Sequence, residues 1–289
     1  RPARGRAAGG MIPSVALPDG TTVAALGQGT WHMGEHAKDA AREADALRLG
    51  IDLGMTLIDT AEMYADGRSE EVVAKAIAGQ RERVFLVSKV YPHNASRAGV
   101  QAACARSLRR LGTERIDLYL LHWPGSHPIG ETIAGFQALQ QAGHIVHWGV
   151  SNFDVAGMQS VYDAPGGRAC ATDQVLYHPD SRGIEFDLLP WCARHRMPAM
   201  AYSPVGQAGR LLRSRALIDV GKRHDATPAQ VAIAWAMRSG NVIAIPKAAD
   251  PAHVRQNAAT AALTLTPEDL AVIDAAHKPP KRQEPLGML

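Results

Sequence analysis

No apolar run in the chain approaches the ~20 residues that cross a bilayer as a helix, so a membrane-spanning protein is not expected. Cysteine is scarce: Cys104, Cys170 and Cys192 are scattered and odd in number. That usage fits a reducing cytoplasm and argues against both a disulfide framework and a zinc site. Charge of one sign is lacking as well. The formal net charge is +3, and Arg1, Arg4 and Arg6 account for all of it. The remainder is balanced and offers no basic footprint for nucleic acid. Residues 1–10, RPARGRAAGG, contain no apolar segment to act as a secretory signal, and they read as a flexible or vector-derived tail. His144 and His147 stand three apart around a turn-to-strand step without a cysteine or carboxylate at ligand spacing, so no metal is expected. A dinucleotide-binding glycine loop is also missing. The stretch 27–34, GQGTWHMG, has neither the G-x-G-x-x-G spacing nor a helix directly after it.

What is present is a regular alternation. Of 289 residues, 46% are hydrophobic and 20% charged, enough for a sizeable core. An opening segment, 12–31, places Pro-Asp-Gly between two β-prone runs and reads as a hairpin. Nearly continuous Val/Leu/Ile runs then predict strands over 23–27, 56–60, 84–90, 117–121, 147–150, 172–176, 198–202 and 242–246. Such runs, unbroken by polar alternation, belong to strands covered on both faces. Between them, three- and four-residue apolar spacing predicts helices over 39–53, 69–79, 97–111, 130–143, 154–162, 185–195, 226–239 and 251–258. One extra helix, 267–276, opens at Thr-Pro-Glu-Asp. Eight strand-then-helix units with right-handed crossovers predict an α/β protein, a (β/α)8 TIM barrel with an N-terminal β-hairpin and one extra C-terminal helix. A doubly wound open sheet is the structural competitor. No composition break divides 11–289, which is read as one domain.

Catalytic groups of such barrels sit at the carboxyl ends of the strands. Here nearly every predicted strand ends on a polar residue: Asp59, Lys89, His122, Ser151 with Asn152, Gln174, Tyr202 with Ser203, and Lys247. Four residues stand out chemically, since Tyr64 follows Asp59 closely. A tyrosine is a poor acid, with an ordinary pKa about 10, and a cation against its oxygen favours the phenolate. Lys89 can be that cation, Asp59 can hold the ammonium charged, and His122 can bond a carbonyl oxygen. A carbonyl between Tyr64 and His122 would be polarised where negative charge develops. Each residue also has a bland role: a structural salt bridge for Asp59 and Lys89, a loop aromatic, a satisfied core histidine. Four of them on three successive strand ends favour chemistry.

The motifs LIDTAEMY, VSKV and LLHWP, followed by GVSNF, DQVLYH, AYSP and IPK, resemble the aldo-keto reductase signatures in order and interval. The resemblance runs from about residue 12 to the end. TLIDTAEMYADG, DLLPWC and IPKAA with AHVRQNAA make the chain most similar to bacterial methylglyoxal-reducing members. It implies a cytoplasmic NADPH-dependent carbonyl reductase with Tyr64 as general acid, aided by Lys89, Asp59 and His122. It also implies that Ser151, Asn152 and Gln174 hold the nicotinamide amide while Tyr202 stacks on the ring. Ser203, Val205 and Gln207 would follow the pyrophosphate, with Gly29 and Thr30 approaching from the other side.

Lys247, Ala248, His253, Gln256 and Asn257 would meet the adenosine end. Many members have Lys-Ser and then an arginine there, so two contacts to a 2′-phosphate are absent. Arg255 is no substitute, because two helical residues rotate it about 200° from His253. NADPH is expected over NADH, with weaker discrimination.

Trp31, Tyr91 and Trp123 are read as an aromatic substrate wall for small aldehydes or ketones, 2-oxoaldehydes included. The loop 123–130 and the tail beyond 277 look too short to cover it. The expected partner is a small carbonyl compound, with no nucleic acid or membrane, and the chain is read as a monomer. Two alternatives remain: a non-catalytic cofactor-binding member acting as a sensor or structural subunit, and a barrel isomerase or lyase acting on a phosphorylated sugar.

Overall fold

The computed structural model describes residues 11–289, and the segment 1–10 expected to form a tail lies outside the described residues. The chain opens with an antiparallel hairpin, β1 (Ser14–Ala16) and β2 (Thr22–Ala24), in which Val15 faces Val23. The Pro-Asp-Gly turn closes it as the sequence requires. Gly20 takes φ 91, and the Asp19 carboxylate accepts the Thr21 N–H at 2.9 Å.

Eight parallel strands follow in chain order: β3 (Gln28–Gly29), β4 (Leu57–Asp59), β5 (Phe85–Val90), β6 (Ile116–Leu121), β7 (Ile145–Ser151), β8 (Cys170–Leu176), β9 (Ala199–Tyr202) and β10 (Val242–Ala244). Bridges from Leu26 to Ala244 and from Gly29 to Lys247 join the last strand to the first and close the barrel. Two glycines let the first strand lie close to its neighbours on both sides. A Cβ on Gly27 would meet the Leu57 carbonyl oxygen at 2.7 Å, and one on Gly29 the Ile245 oxygen at 2.6 Å. The run 23–27, expected to be the first barrel strand, therefore divides: Val23 belongs to the hairpin and Leu26 to the barrel seam.

The helices are α1 (Ala40–Asp52), α2 (Arg68–Ile77), α3 (Arg97–Leu111), α4 (Ile129–Gln141), α5 (Val155–Asp163), α6 (Leu188–Arg194), α7 (Arg215–Arg223), α8 (Pro228–Met237), α9 (Pro251–Ala259) and α10 (Pro267–Ala276). Where caps are explicit in the sequence the ends fall where expected. Ser96 caps α3, Gly112 ends it in the left-handed region, and Thr227 with Gln230 forms a capping box on α8. α7 is a correction, since one extra helix was expected and two lie outside the strand–helix repeat. The two are bonded together: His224 lies 2.6 Å from Asp269, Arg223 lies 3.0 Å from the same carboxylate, and Ser214 lies 2.8 Å from His277.

Strand alternation divides the core into two layers. Ile58, Leu86 and Val90 point outward to the helices, whereas Leu57, Val87, Leu118 and Leu120 fill the barrel. Val15, Leu17 and Val23 of the hairpin join the inner cluster and seal the amino-terminal end. Each such buried aliphatic side chain contributes about 1.5–3 kcal/mol. No described helix is long and apolar enough to cross a membrane.

Candidate active site

The same alternation that buries Leu57 and Val87 makes Asp59 and Lys89 the next interior positions, and beyond Leu118 and Leu120 comes His122. The inward row thus changes from aliphatic to ionisable at the carboxyl ends of three adjacent strands. Lys89 is fully buried, and all three ammonium hydrogens have acceptors: Asp59 Oδ2 at 2.7 Å, the Thr60 carbonyl at 2.9 Å and Tyr64 Oη at 3.1 Å. Burial works against the ammonium. Asp59 and the phenol oxygen nevertheless hold its pKa above the ordinary lysine range. Asp59 Oδ1 accepts a further bond from Gln174 Nε2 at 2.8 Å.

The donor inventory fixes where the Tyr64 proton points. An ammonium can only donate, so the phenol oxygen accepts from Lys89 and its own hydrogen is left for another acceptor in the cleft. The cation was expected to lower the phenol pKa. It pulls that way, but burial is the larger influence and raises it. Tyr64 is therefore protonated at neutral pH.

His122 packs edge-on against Tyr64, ring centroids 5.6 Å apart. Burial, and secondarily the Lys89 charge, push its pKa down to about 2. Its Nδ1 is buried without a partner, so the neutral ring places its hydrogen on Nε2. With no titration of this residue near neutrality, the rate profile of chemistry at this site is expected to carry no inflection from His122 between about pH 5 and pH 8, where an ordinary histidine titrates. A pH series of initial rates checks this, and an inflection abolished by His122→Asn would contradict it. The folded value lies below the unfolded one, so stability from this residue is complete above roughly pH 6.5 and is lost as pH falls.

A cleft of about 580 Å³ lies above these groups. Asp59, Tyr64 and His122 line it, with Ser151, Asn152, Gln174 and Tyr202, and Lys247, Ala248 and His253 are also on its wall. Gly29, Thr30, Ser203, Val205 and Gln207 also line it. The residues expected to hold the amide form a frame: Ser151 Oγ donates to the Gln174 carbonyl at 2.8 Å, and Tyr202 Oη donates to Asn152 Oδ1 at 2.9 Å. A cleft of this size lined by carboxamides, an aromatic ring and a lysine has the chemistry to fit a nicotinamide dinucleotide phosphate.

Four expectations are corrected. Gln256 and Asn257 are not on the cleft wall, and the Asn257 side chain is buried in α9. Tyr91 is not there either. It meets Trp123 edge-on at 5.9 Å and backs that ring, while Trp123 and Trp31 do face the cleft. The tail does contribute cover: it passes Gly183 and Ser181 and lays Met288 and Leu289 in the wall, with the Leu289 backbone at the Tyr202 hydroxyl. Sequence reasoning also missed Met63 and His32, both lining residues. For the tail, the signal was an apolar Pro-Leu-Gly-Met-Leu end after a polar stretch. Among the described residues no group of three potential metal ligands occurs, and the three cysteines are free and buried.

Comparison with known proteins adds kinship to this geometry. Residues 25–278 match the model of the aldo/keto reductase family. The chain is 54% identical over 269 residues to methylglyoxal reductase YeaE of Escherichia coli strain K12, covering 92% of this chain and 95% of that protein. An aldo/keto reductase from Klebsiella pneumoniae, crystallised with NADP and acetate, superposes with a TM-score of 0.94 at 50% identity, covering 96% of this chain and 99% of that one. A second Klebsiella pneumoniae structure, in complex with NADPH, gives 0.94 at 49% identity over 96% of this chain and 100% of that one. A family match across most of the chain, on a closed barrel with these strand-end residues, makes this protein a member of the aldo/keto reductase family.

Proposed function

We propose that the protein reduces small aldehydes and ketones, 2-oxoaldehydes such as methylglyoxal among them, with NADPH. The observation that carries this is the buried Lys89 ammonium, bonded at once to Asp59 and to the Tyr64 oxygen beneath the cleft. When bound, the nicotinamide supplies the hydride. The chain's own residues do the rest. Tyr64 gives its free proton to the carbonyl oxygen as negative charge develops there, and Lys89 stabilises the phenolate left behind. Asp59 keeps Lys89 charged. Neutral His122 donates from Nε2 to the same oxygen and orients it. Ser151, Asn152 and Gln174 would hold the carboxamide, and Tyr202 would offer its ring face to the nicotinamide. Trp31, Met63 and Trp123 give the carbonyl's carbon chain an apolar wall. The same reading makes the protein a cytoplasmic monomer without nucleic-acid or membrane partners.

Mixing the protein with methylglyoxal and NADPH tests the proposal: stoichiometric NADPH oxidation is expected, and none with this or other short aldehydes refutes it. At the adenosine end Lys247 is the cation facing a 2′-phosphate, beside His253. The ratio of kcat/KM with NADPH to that with NADH is expected to exceed one. Lys247→Ala is expected to lower the NADPH value about 10-fold, the scale of one charge-assisted bond, while barely changing the NADH value. A wild-type preference for NADH would overturn this assignment.

A further inference from the structure

Tyr64 does not stand on a strand. It opens a single turn, Tyr64–Gly67, in which Ala65 (φ 50), Asp66 (φ 54) and Gly67 (φ 87) are all left-handed. Two non-glycine residues in that region persist only where surrounding contacts over-determine the backbone. One such set of contacts converges on Glu62, two residues before the proton donor.

The Glu62 main-chain N–H donates to the Lys89 carbonyl at 3.3 Å. Its side chain, 6% exposed, crosses to the segment after β5. Oε1 accepts the Tyr91 N–H at 2.8 Å and Asn94 Nδ2 at 3.0 Å, and Oε2 lies 3.5 Å from Arg106 Nη2. The segment so held carries Tyr91, whose ring supports Trp123, and Trp123 faces the cleft. One buried carboxylate thus spans from the loop that bears the acid to the support of the wall where the substrate lies. Glu62 itself does not line the cleft.

Resting on the reductase reading, we infer that Glu62 is a positioning residue that fixes the Tyr64 hydroxyl relative to both Lys89 and the Trp123 wall. Proton transfer needs the phenol within hydrogen-bond reach of the carbonyl oxygen, and a misplacement of about 1 Å can cost up to 10²-fold. Alanine at this position would leave the Tyr91 N–H and Asn94 amide without their acceptor. The strained turn would then be free to relax away from Lys89.

Glu62→Ala is expected to lower kcat for methylglyoxal reduction about 10-fold, leave the NADPH dissociation constant unchanged, and shift the alkaline limb of the rate profile, which Tyr64 sets. Glu62→Gln keeps an oxygen for the same two donors and should stay within about 3-fold of wild type. If Glu62 only stabilised the fold, Glu62→Ala would melt earlier with kcat per folded molecule and the alkaline limb unmoved, and the inference would be overturned. A glutamine variant as impaired as alanine would overturn it too, because charge rather than placement would then matter. Should Glu62→Ala not fold, Asn94→Ala removes one donor and keeps the carboxylate. A loss of about 3-fold supports the inference, and no loss sinks it. Tyr64→Phe run in parallel separates the two levels: if it retains turnover the reductase mechanism falls, whereas its inactivity beside a fully active Glu62→Ala discards only the role of Glu62.

Discussion

Tyr64→Phe is expected to lower kcat for aldehyde reduction by at least about 10²-fold, the scale of losing a general acid, with NADPH binding nearly unchanged. The variant removes one oxygen and nothing else. That oxygen accepts from Lys89 at 3.1 Å, and its hydrogen is the one left free for a substrate. Phenylalanine keeps the edge-on packing with His122, so the site should stay formed. Stopped-flow reduction at saturating NADPH, beside a direct cofactor titration, measures both quantities. An equal loss of cofactor binding would mean that the hydroxyl serves the cofactor instead of the carbonyl.

Lys89→Met is expected to show the second large effect, and on two observables. Turnover should fall about 10²–10³-fold, because no fixed charge then stabilises the phenolate as the proton leaves. Stability should fall by about 3–5 kcal/mol, the usual result of deleting one member of a buried ion pair. Asp59 is left at 2% exposure with Gln174 as its remaining donor. Adding Asp59→Asn removes the stranded charge, and the double variant should regain most of the denaturation midpoint without regaining turnover. Chemical denaturation and steady-state rates on the single and double variants check this. Recovery of both together would show that Lys89 acts on folding alone.

Much of this site was legible because the barrel imposes a period of two. Once 56–60, 84–90 and 117–121 read as buried strands, the polar residues at their ends had to share one rim, and Asp59, Lys89 and His122 do. Helices with explicit punctuation, such as α3 between Ser96 and Gly112, were equally plain. What escaped depended on tertiary context. α7 reads as charged loop, since five of its nine residues are Arg, Asp, Lys or Gly and its apolar side acquires meaning only beneath α8 and α10. The first barrel strand is two residues long and is defined by neighbours rather than by its own sequence. Tyr91 sits at the expected strand end but turns to Trp123, with its backbone N–H held by the Glu62 carboxylate. Met288 and Leu289 reach the cleft by folding back over the loop after β8, a route that no local pattern encodes.

The hairpin under the barrel has a kinetic consequence. Because Val15, Leu17 and Val23 stopper one end among the described residues, both reactants are expected to share the cleft at the opposite rim. Initial-rate patterns with each reactant varied against the other should then be sequential, with neither product leaving before both reactants have entered.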